Sequence, residues 1–447
     1  MAISSTAFDR IRAVVAAVQN ERRLPSLVVA VAQSGRLLHP VSIGYADVAS
    51  GLRAGPDVQY RIGSITKTVT AMAVMQLVAE GKLDLRGPLK QGWPGAPHDD
   101  ISLADLLTHG SGLQREPNGS VWETLRFPAR NELAATANEV QRLYPQDSWF
   151  HYSNLGFALL GEMVAQMSGT TWESWVHEHL LQPLEMVRTT PLPDQPSAQG
   201  YSVKPYTDEV VAEPVVDCRG LAAAGQLWST AQDMCRWSGA LSGSRPDLLN
   251  ANTLAEMSAP RTMEDLQHWT RGFGLRLMLM RDGDTVYVGH TGSMPGFLAA
   301  VFCHPSTQLA VVVLTNTSSG LPVGPLAVQL LGLAREGFLA ESERVSGAAP
   351  PERITPLLGR WWSEWHEWVF RWRDGKLLAS EAEKPPGDAP TEFAEIAEDI
   401  FVALNGTERG ERLLVVRGVG EDPIAVKKLY WATYPFTRAP ESIVGSE

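Results

Sequence analysis

Ser64-Ile65-Thr66-Lys67 is the only Ser-x-x-Lys in this chain, which otherwise prefers Arg to Lys. A serine hydroxyl is a poor nucleophile until a neighbour takes its proton. Residues three apart on a helix share a face, so Lys67 projects beside Ser64 one turn on. A lysine held in a dry cleft has a lowered pKa and can act as that base. A serine at a helix start also brings backbone N–H groups and the positive dipole end to where an oxyanion would form. Two further clusters carry compatible chemistry. Tyr152-Ser153-Asn154 offers a phenol able to pass a proton to a leaving group, and an amide able to hold a substrate amide. His290-Thr291-Gly292 falls at the end of an expected strand. An extended strand beside a nucleophile can donate a backbone N–H to an oxyanion and pair with an extended substrate, and a glycine there admits close approach. Each cluster also has a purely structural reading: a capped helix start with a surface lysine, a half-buried tyrosine before a helix capped by Ser153 or Asn154, and a strand-end turn with a satisfied histidine.

These residues need elements to position them. Phe8, Ile11, Val14, Val15 and Val18 fall at helical spacing and predict an amphipathic surface helix. Ser26 to Gln33 is a β-branched apolar run, and Leu37 to Tyr45 can return as a second strand after the turn Ser34-Gly35-Arg36. Thr66 to Glu80 reads as a helix apolar all round, hence buried, ended by Gly81. From about Asp84 to Ala223 the chain reads as helical segments and loops, with Asn154 to Gln166 and Trp172 to Leu181 the clearest helices. Thr230-Ala231-Gln232-Asp233 resembles a capping box and opens a helix through Ser238. Phe273 to Met280, Thr285 to Val288, Phe297 to Cys303 and Leu309 to Thr315 read as successive strands, and Val323 to Ala334 as a closing helix. The economical fold is α+β: an antiparallel sheet assembled from both ends of residues 1–340, with a helical insertion at about 84–223.

Residues 341–352 are rich in Ser, Gly, Ala and Pro and read as a linker. Beyond them, 353–447 reads as a small β-barrel. Trp368 to Arg373, the turn Asp374-Gly375 and Lys376 to Glu381 form a hairpin signature. Strands follow at Phe393 to Ile396, Ile400 to Leu404, Arg412 to Val416 and Ile424 to Thr433. Six of the fourteen tryptophans lie in this segment, enough large residues to fill a barrel, so a filled core is preferred to an open ligand pocket.

Bulk properties exclude several classes. At 447 residues the chain is too long for one ordinary core. A net charge of −12 argues against nucleic acid or an anionic membrane as the main partner, since both need a basic face. Cys218, Cys235 and Cys303 are widely spaced with no C-x-x-C pair, so free buried thiols are expected and no zinc site or disulfide framework. His177-Glu178-His179 puts its histidines on different helix faces and lacks a third ligand, so no metal is expected, nor any cofactor. No basic segment precedes a continuous apolar stretch at the N-terminus, and no run is long enough to span a bilayer; a cytoplasmic location is expected. No Gly-x-Ser-x-Gly elbow is present.

Taken together, these motifs resemble the serine β-lactamase and penicillin-binding-protein family, specifically its class C-like branch. That branch includes esterases, D-peptidases, acyltransferases and penicillin-binding-protein-type thioesterases. The resemblance covers about residues 5–340. It rests on Tyr60-Arg61-Ile62-Gly63-Ser64-Ile65-Thr66-Lys67, on Leu106-Leu107-Thr108-His109-Gly110-Ser111-Gly112-Leu113, on Tyr152-Ser153-Asn154, on Ala224-Gly225-Gln226-Leu227-Trp228-Ser229-Thr230 and on Gly289-His290-Thr291-Gly292. It implies Ser64 as the acylated nucleophile, Lys67 as its base and Tyr152 as the second proton-transfer residue. It also implies Asn154 as a ligand of the substrate amide, and the N–H groups of Ser64 and Ser293 as the oxyanion hole. His290, Thr291, Gly292 and Ser293 would line the substrate. The stretches Leu106 to Leu113 and Ala224 to Thr230 are read as structural. One departure matters: many members carry Lys-Thr-Gly where this chain has His290-Thr291-Gly292, so a fixed cation for a substrate carboxylate becomes a titratable imidazole. That disfavours β-lactam hydrolysis and favours esters, amides or thioesters. The last hundred residues, opened by Gly359-Arg360-Trp361-Trp362, resemble the lipocalin-like barrel found at the C-terminus of some relatives.

Three functions fit. The first is a serine acyl-enzyme hydrolase of a small ester or peptide amide. The second is an acyl transferase on the same machinery, of which the thioesterases that release and cyclise nonribosomal peptides are the nearest family example. Its acyl substrate could be delivered by a carrier protein. The third is a catalytically silent binding module.

Overall fold

The β-branched run Ser26–Gln33 becomes the middle of a nine-stranded antiparallel sheet. Across the sheet the strands run Leu52–Arg53, Arg36–Asp47, Ser26–Gln33, Leu309–Thr315, Phe297–His304, Thr285–Met294, Met278–Asp282, Arg271–Phe273 and Thr262–Met263. Leu27 pairs with Thr315 and Gln33 with Leu309, so strands nearly three hundred residues apart lie side by side, as expected. Both are buried along almost their whole length because helices cover both faces. On one face Ile11 and Val15 of the first helix, Ser5–Glu21, pack with Val29, Val311 and Leu330. On the other, Val28, Ala30 and Val312 pack with Met72 and Trp237. The computed structural model describes residues 3–318, 320–342, 349–373, 375–383, 390–418 and 424–440.

Local rules explain most boundaries. The helix Thr66–Ala79 has no polar face and is buried nearly all round. It ends before Gly81, which takes the left-handed φ of +71° that terminates helices cheaply. Ser153 caps the helix Asn154–Ser168 by accepting the Gly156 N–H, and Thr230 caps Ala231–Leu241 by accepting the N–H of Asp233. The region 84–223 is mainly short helices, with a small hairpin, Tyr201–Val203 and Val210–Ala212, that the sequence did not suggest.

Two expected strands differ, and both differences shape the site. Phe273 to Met280 is not one strand but a hairpin: Arg271–Phe273 and Met278–Asp282 pair with each other, Phe273 opposite Met278. The reversal at 274–277 is fixed by a Gly274 N–H to Leu277 O bond and by a left-handed Arg276, φ +68°. The second strand runs to Met294 rather than Val288, so His290-Thr291-Gly292 lies inside a strand rather than at its end.

Contacts divide the chain into two compact units, 1–343 and 344–447. The closing helix of the first extends to Ser342, so the first two residues of the expected linker are helical. Its residues 343–348 lie outside the described residues, as does Asp374 of the expected hairpin turn. The second unit is an eight-stranded meander, Gly359–Ser363 through Tyr434–Phe436, each strand paired with the next. The ring nearly closes: Trp362 N–H donates to Thr437 O at 2.8 Å, and Thr437 N–H to Trp362 O at 2.9 Å. Burial alternates along Lys376–Glu381 and Arg412–Arg417, the pattern of a sheet with one inward face. Trp361, Phe370, Leu377, Phe401, Leu413 and Leu429 fill the interior, which agrees with the filled-core reading. One end keeps a cavity of about 280 Å³ beside Trp368 and Tyr434. No helix among the described residues is long and apolar enough to cross a membrane.

Candidate active site

Ser64 sits in a single 3₁₀ turn, Gly63–Ile65, that runs straight into the buried helix Thr66–Ala79. That continuity sets the three-residue offset to Lys67. The Lys67 ammonium donates to Ser64 Oγ at 3.1 Å and to the Ala224 carbonyl at 2.6 Å. Lys67 is fully buried, and no carboxylate pairs with it among the described residues. Burial is the main cause that lowers its pKa to about 8; Arg276 adds to the effect and Tyr152 opposes it. The Ala224 carbonyl comes from the Ala224 to Thr230 stretch, which thereby anchors the base.

Tyr152 reaches Lys67 from the loop before the helix Asn154–Ser168, its ring centroid 5.0 Å from Lys67 Nζ. Burial alone would raise the phenol's pKa. Lys67 and Arg276, with hydrogen bonds to Ser64 and Lys67, outweigh burial and bring it down to about 8. Two groups that ordinarily titrate near 10 are thus both brought down, which suits them to hand a proton from one to the other. Asn154 lies one residue inside the helix; its Nδ2–H donates to Glu116 Oε1, which fixes the orientation of the amide.

The strand Thr285–Met294 passes against the nucleophile turn, backbone to backbone. A methyl on Gly292 would lie 1.9 Å from Ile62 O and 3.2 Å from Ser64 N; one on Gly63 would lie 2.8 Å from Ser293 N. Glycine is required at both positions, and the backbone of Ser293 is thereby set beside that of Ser64. Two cavities meet at Ser64. One, about 330 Å³, is walled by Trp122, Phe127, Leu221 and Met294, with Asn154, Glu116 and Arg115 among its polar side chains. The other, about 690 Å³, is lined by Tyr152, His290, Thr291, Gly292 and Ser293. Every expected site residue therefore lines one of these cavities or touches Ser64.

His290 differs from its expected part. It is buried, and its ring nitrogens are used within the protein: Nε2 on Arg276 Nη2, Nδ1 on Thr291 O. A guanidinium can only donate, so Nε2 carries the lone pair and Nδ1–H donates to Thr291 O. Burial first, then the charge of Arg276, hold the imidazole well below its ordinary range. The sequence reading missed three residues here. Arg276 lay hidden in an apolar run. His109, read as structural, packs its ring at a tilt against Tyr152, centroids 4.2 Å apart. Glu116 holds Asn154. The positive φ of Arg276 has no signature in its residue type, and that of His109 only a weak one.

Residues 11–335 match the family described as Beta-lactamase. The chain belongs to the β-lactamase family. Residues 350–438 match a "Domain of unknown function (DUF7586)". Among curated relatives, "Protein flp" of Staphylococcus aureus (strain MW2) is 22% identical over 313 residues, 66% of this chain and 60% of that protein. This chain thus spans about 60% of the length of such relatives. Three solved structures share the fold. The octameric penicillin-binding protein homologue from Pyrococcus abyssi has a TM-score of 0.66 at 21% identity, over 96% of this chain and 99% of that one. SurE has 0.63 at 24%, over 97% and 99%. A D-stereospecific amidohydrolase from Streptomyces sp. has 0.59 at 23%, over 70% of this chain and 97% of its own.

Proposed function

We propose that this protein is a serine acyl-enzyme hydrolase of esters or peptide-type amides. The observation that carries the reading is the 3.1 Å hydrogen bond from a fully buried, unpaired Lys67 to Ser64 Oγ. Ser64 Oγ attacks the carbonyl carbon while its proton passes to Lys67. The developing oxyanion meets the Ser64 and Ser293 N–H groups. The bond to the leaving group then breaks, and the proton travels through Tyr152 to the departing oxygen or nitrogen. Water attacks the Ser64 ester, gives its proton back along the same path, and Ser64 recovers its hydrogen as the acid departs. The Glu116-fixed Asn154 is suited to the substrate's amide, with its apolar side group in the cavity of Trp122, Phe127, Leu221 and Met294.

A second reading, acyl transfer to an amine, draws support from the 690 Å³ cavity on the other side of Ser64, which has room for an acceptor. A D-configured acyl donor is the first choice of probe, since one relative is a D-stereospecific amidohydrolase and SurE has been solved with D-Leu. The test is product mass after incubation with a peptidyl thioester ending in a D-residue. The linear acid supports hydrolysis, and a product one water lighter supports cyclising transfer. Turnover that survives in Ser64→Ala overturns both.

A further inference from the structure

A fixed cation stands in this site beside His290, which burial and that cation hold neutral. Arg276 is fully buried at the tip of the Arg271–Phe273/Met278–Asp282 hairpin. Its Nη2 donates to the Tyr152 phenol oxygen at 3.2 Å and to His290 Nε2, and its Nη1 faces His109 Nε2. No carboxylate pairs with it among the described residues. A buried guanidinium without an acid is expensive unless another anion answers it. The oxygen within reach is that of Tyr152.

We propose that Arg276 is the positioning cation of this site: clamped by His290 and His109, it fixes the Tyr152 oxygen and favours the phenolate over the phenol. The inference rests on the acyl-enzyme reading for its kinetic consequence, but not for the phenolate itself. His290 serves it as a neutral acceptor. The cation of this site thus comes from the hairpin next to the strand Thr285–Met294, and the histidine on that strand holds it in place.

The groups facing Tyr152 come from four directions. Lys67 lies 5.0 Å from its ring centroid on the nucleophile helix, Arg115 lies 4.7 Å away on the segment after the helix Leu103–Thr108, and the tilted His109 ring lies at 4.2 Å. Arg276 closes the fourth side, its Cζ 4.8 Å from the centroid. Lys67 also favours the phenolate, but only while it carries the proton; each time it gives that proton up, its charge is gone. Arg115 is largely exposed, its charge screened by water. His109 is held neutral by burial and by Arg276. Among the described residues, Arg276 is therefore the one permanent, unscreened charge on the phenol.

The experiment is an ultraviolet difference titration of tyrosinate, which needs no substrate. It compares the full-length protein with Tyr152→Phe, Arg276→Met and Arg276→Lys, each checked by thermal unfolding. In the wild type one tyrosine should ionise near pH 8, and this signal should vanish in Tyr152→Phe. In Arg276→Met it should move up by about one unit or more, and in Arg276→Lys it should stay near the wild-type position. The acid limb of kcat/KM for an activated ester should move with it. A folded Arg276→Met with the wild-type titration overturns the proposal, as does an Arg276→Lys that titrates like Arg276→Met. If Arg276→Met does not fold, Arg276→Gln, which keeps an N–H donor without the charge, takes its place in the comparison, and a wild-type titration in it overturns the proposal. Lack of esterase activity in every protein, with the titration as expected, would overturn the hydrolase reading and leave the role of Arg276 standing.

Discussion

Gly292→Ala isolates the oxyanion strand from the rest of the machinery. An alanine methyl there would stand 1.9 Å from Ile62 O, whereas real Cβ contacts stop near 3.0 Å, so strand and turn must separate by about 1.1 Å. The N–H of Ser293, the next residue, moves with the strand away from Ser64. Ser64, Lys67 and Tyr152 keep their side chains. Loss of one oxyanion donor costs about 10² to 10³ in kcat, and a displacement of about 1 Å is enough for such a loss. The expected result is therefore a fall of about 100-fold or more in kcat on an activated ester, with a smaller change in KM. The overlap also destabilises the fold by about 1–3 kcal/mol, so a control of similar steric severity is needed. Gly44→Ala supplies it: on the strand Arg36–Asp47, a methyl would stand 2.2 Å from Pro25 O at a φ of +87°. Gly44→Ala should lose as much stability and keep its kcat once the folded fraction is counted. Steady-state kinetics beside thermal unfolding make the comparison. A Gly292→Ala enzyme within threefold of wild-type kcat would refute the oxyanion assignment.

Other outcomes follow from the same geometry. Lys67→Met should fold and lose about 10²- to 10⁴-fold in kcat, measured as single-turnover acylation. Activity should follow the Lys67–Tyr152 pair: full above pH 8 and falling about tenfold per unit below it, because protonation of the pair removes the base; a flat profile between pH 6 and 8 would contradict the assignment. Asn154→Ala should cost amide substrates more than matched esters, by about 1–2 kcal/mol in kcat/KM, since only the amide has an N–H to lose its acceptor. In the second unit, Trp361 is fully buried and its indole N–H donates to Leu357 O at 2.8 Å. Trp361→Ala should destabilise that unit by about 3–5 kcal/mol, seen as a shifted unfolding transition.

The parts of this protein legible in its sequence are those in which chemistry and local geometry coincide. The Ser64–Lys67 spacing is a property of one helical turn. Asn154 and Ser153 announce a helix start by residue type. The barrel shows in tryptophan-rich runs separated by turns, though its closure, Trp362 to Thr437, joins residues whose pairing no local pattern encodes. What stayed hidden depends on backbone conformations that residue type does not signal. Phe273 to Met280 satisfies the pattern of one strand; a left-handed Arg276 breaks it into a hairpin and delivers the guanidinium to Tyr152. His109 occupies the left-handed end of the helix Leu103–Thr108, where glycine or asparagine would have marked the stop. His290 was legible as a site residue, but its orientation is set by Arg276 at the turn of the neighbouring hairpin.

The central claim is that Ser64 carries the acyl group. Its most direct test is intact-mass spectrometry of acid-quenched protein mixed with an activated ester, followed by peptide mapping, with Ser64→Ala and Lys67→Met alongside. A mass gain of one acyl group on the peptide holding Ser64, absent in Ser64→Ala and slowed in Lys67→Met, is the predicted result. Turnover with no adduct at any quench time, or an adduct that persists in Ser64→Ala, would contradict it.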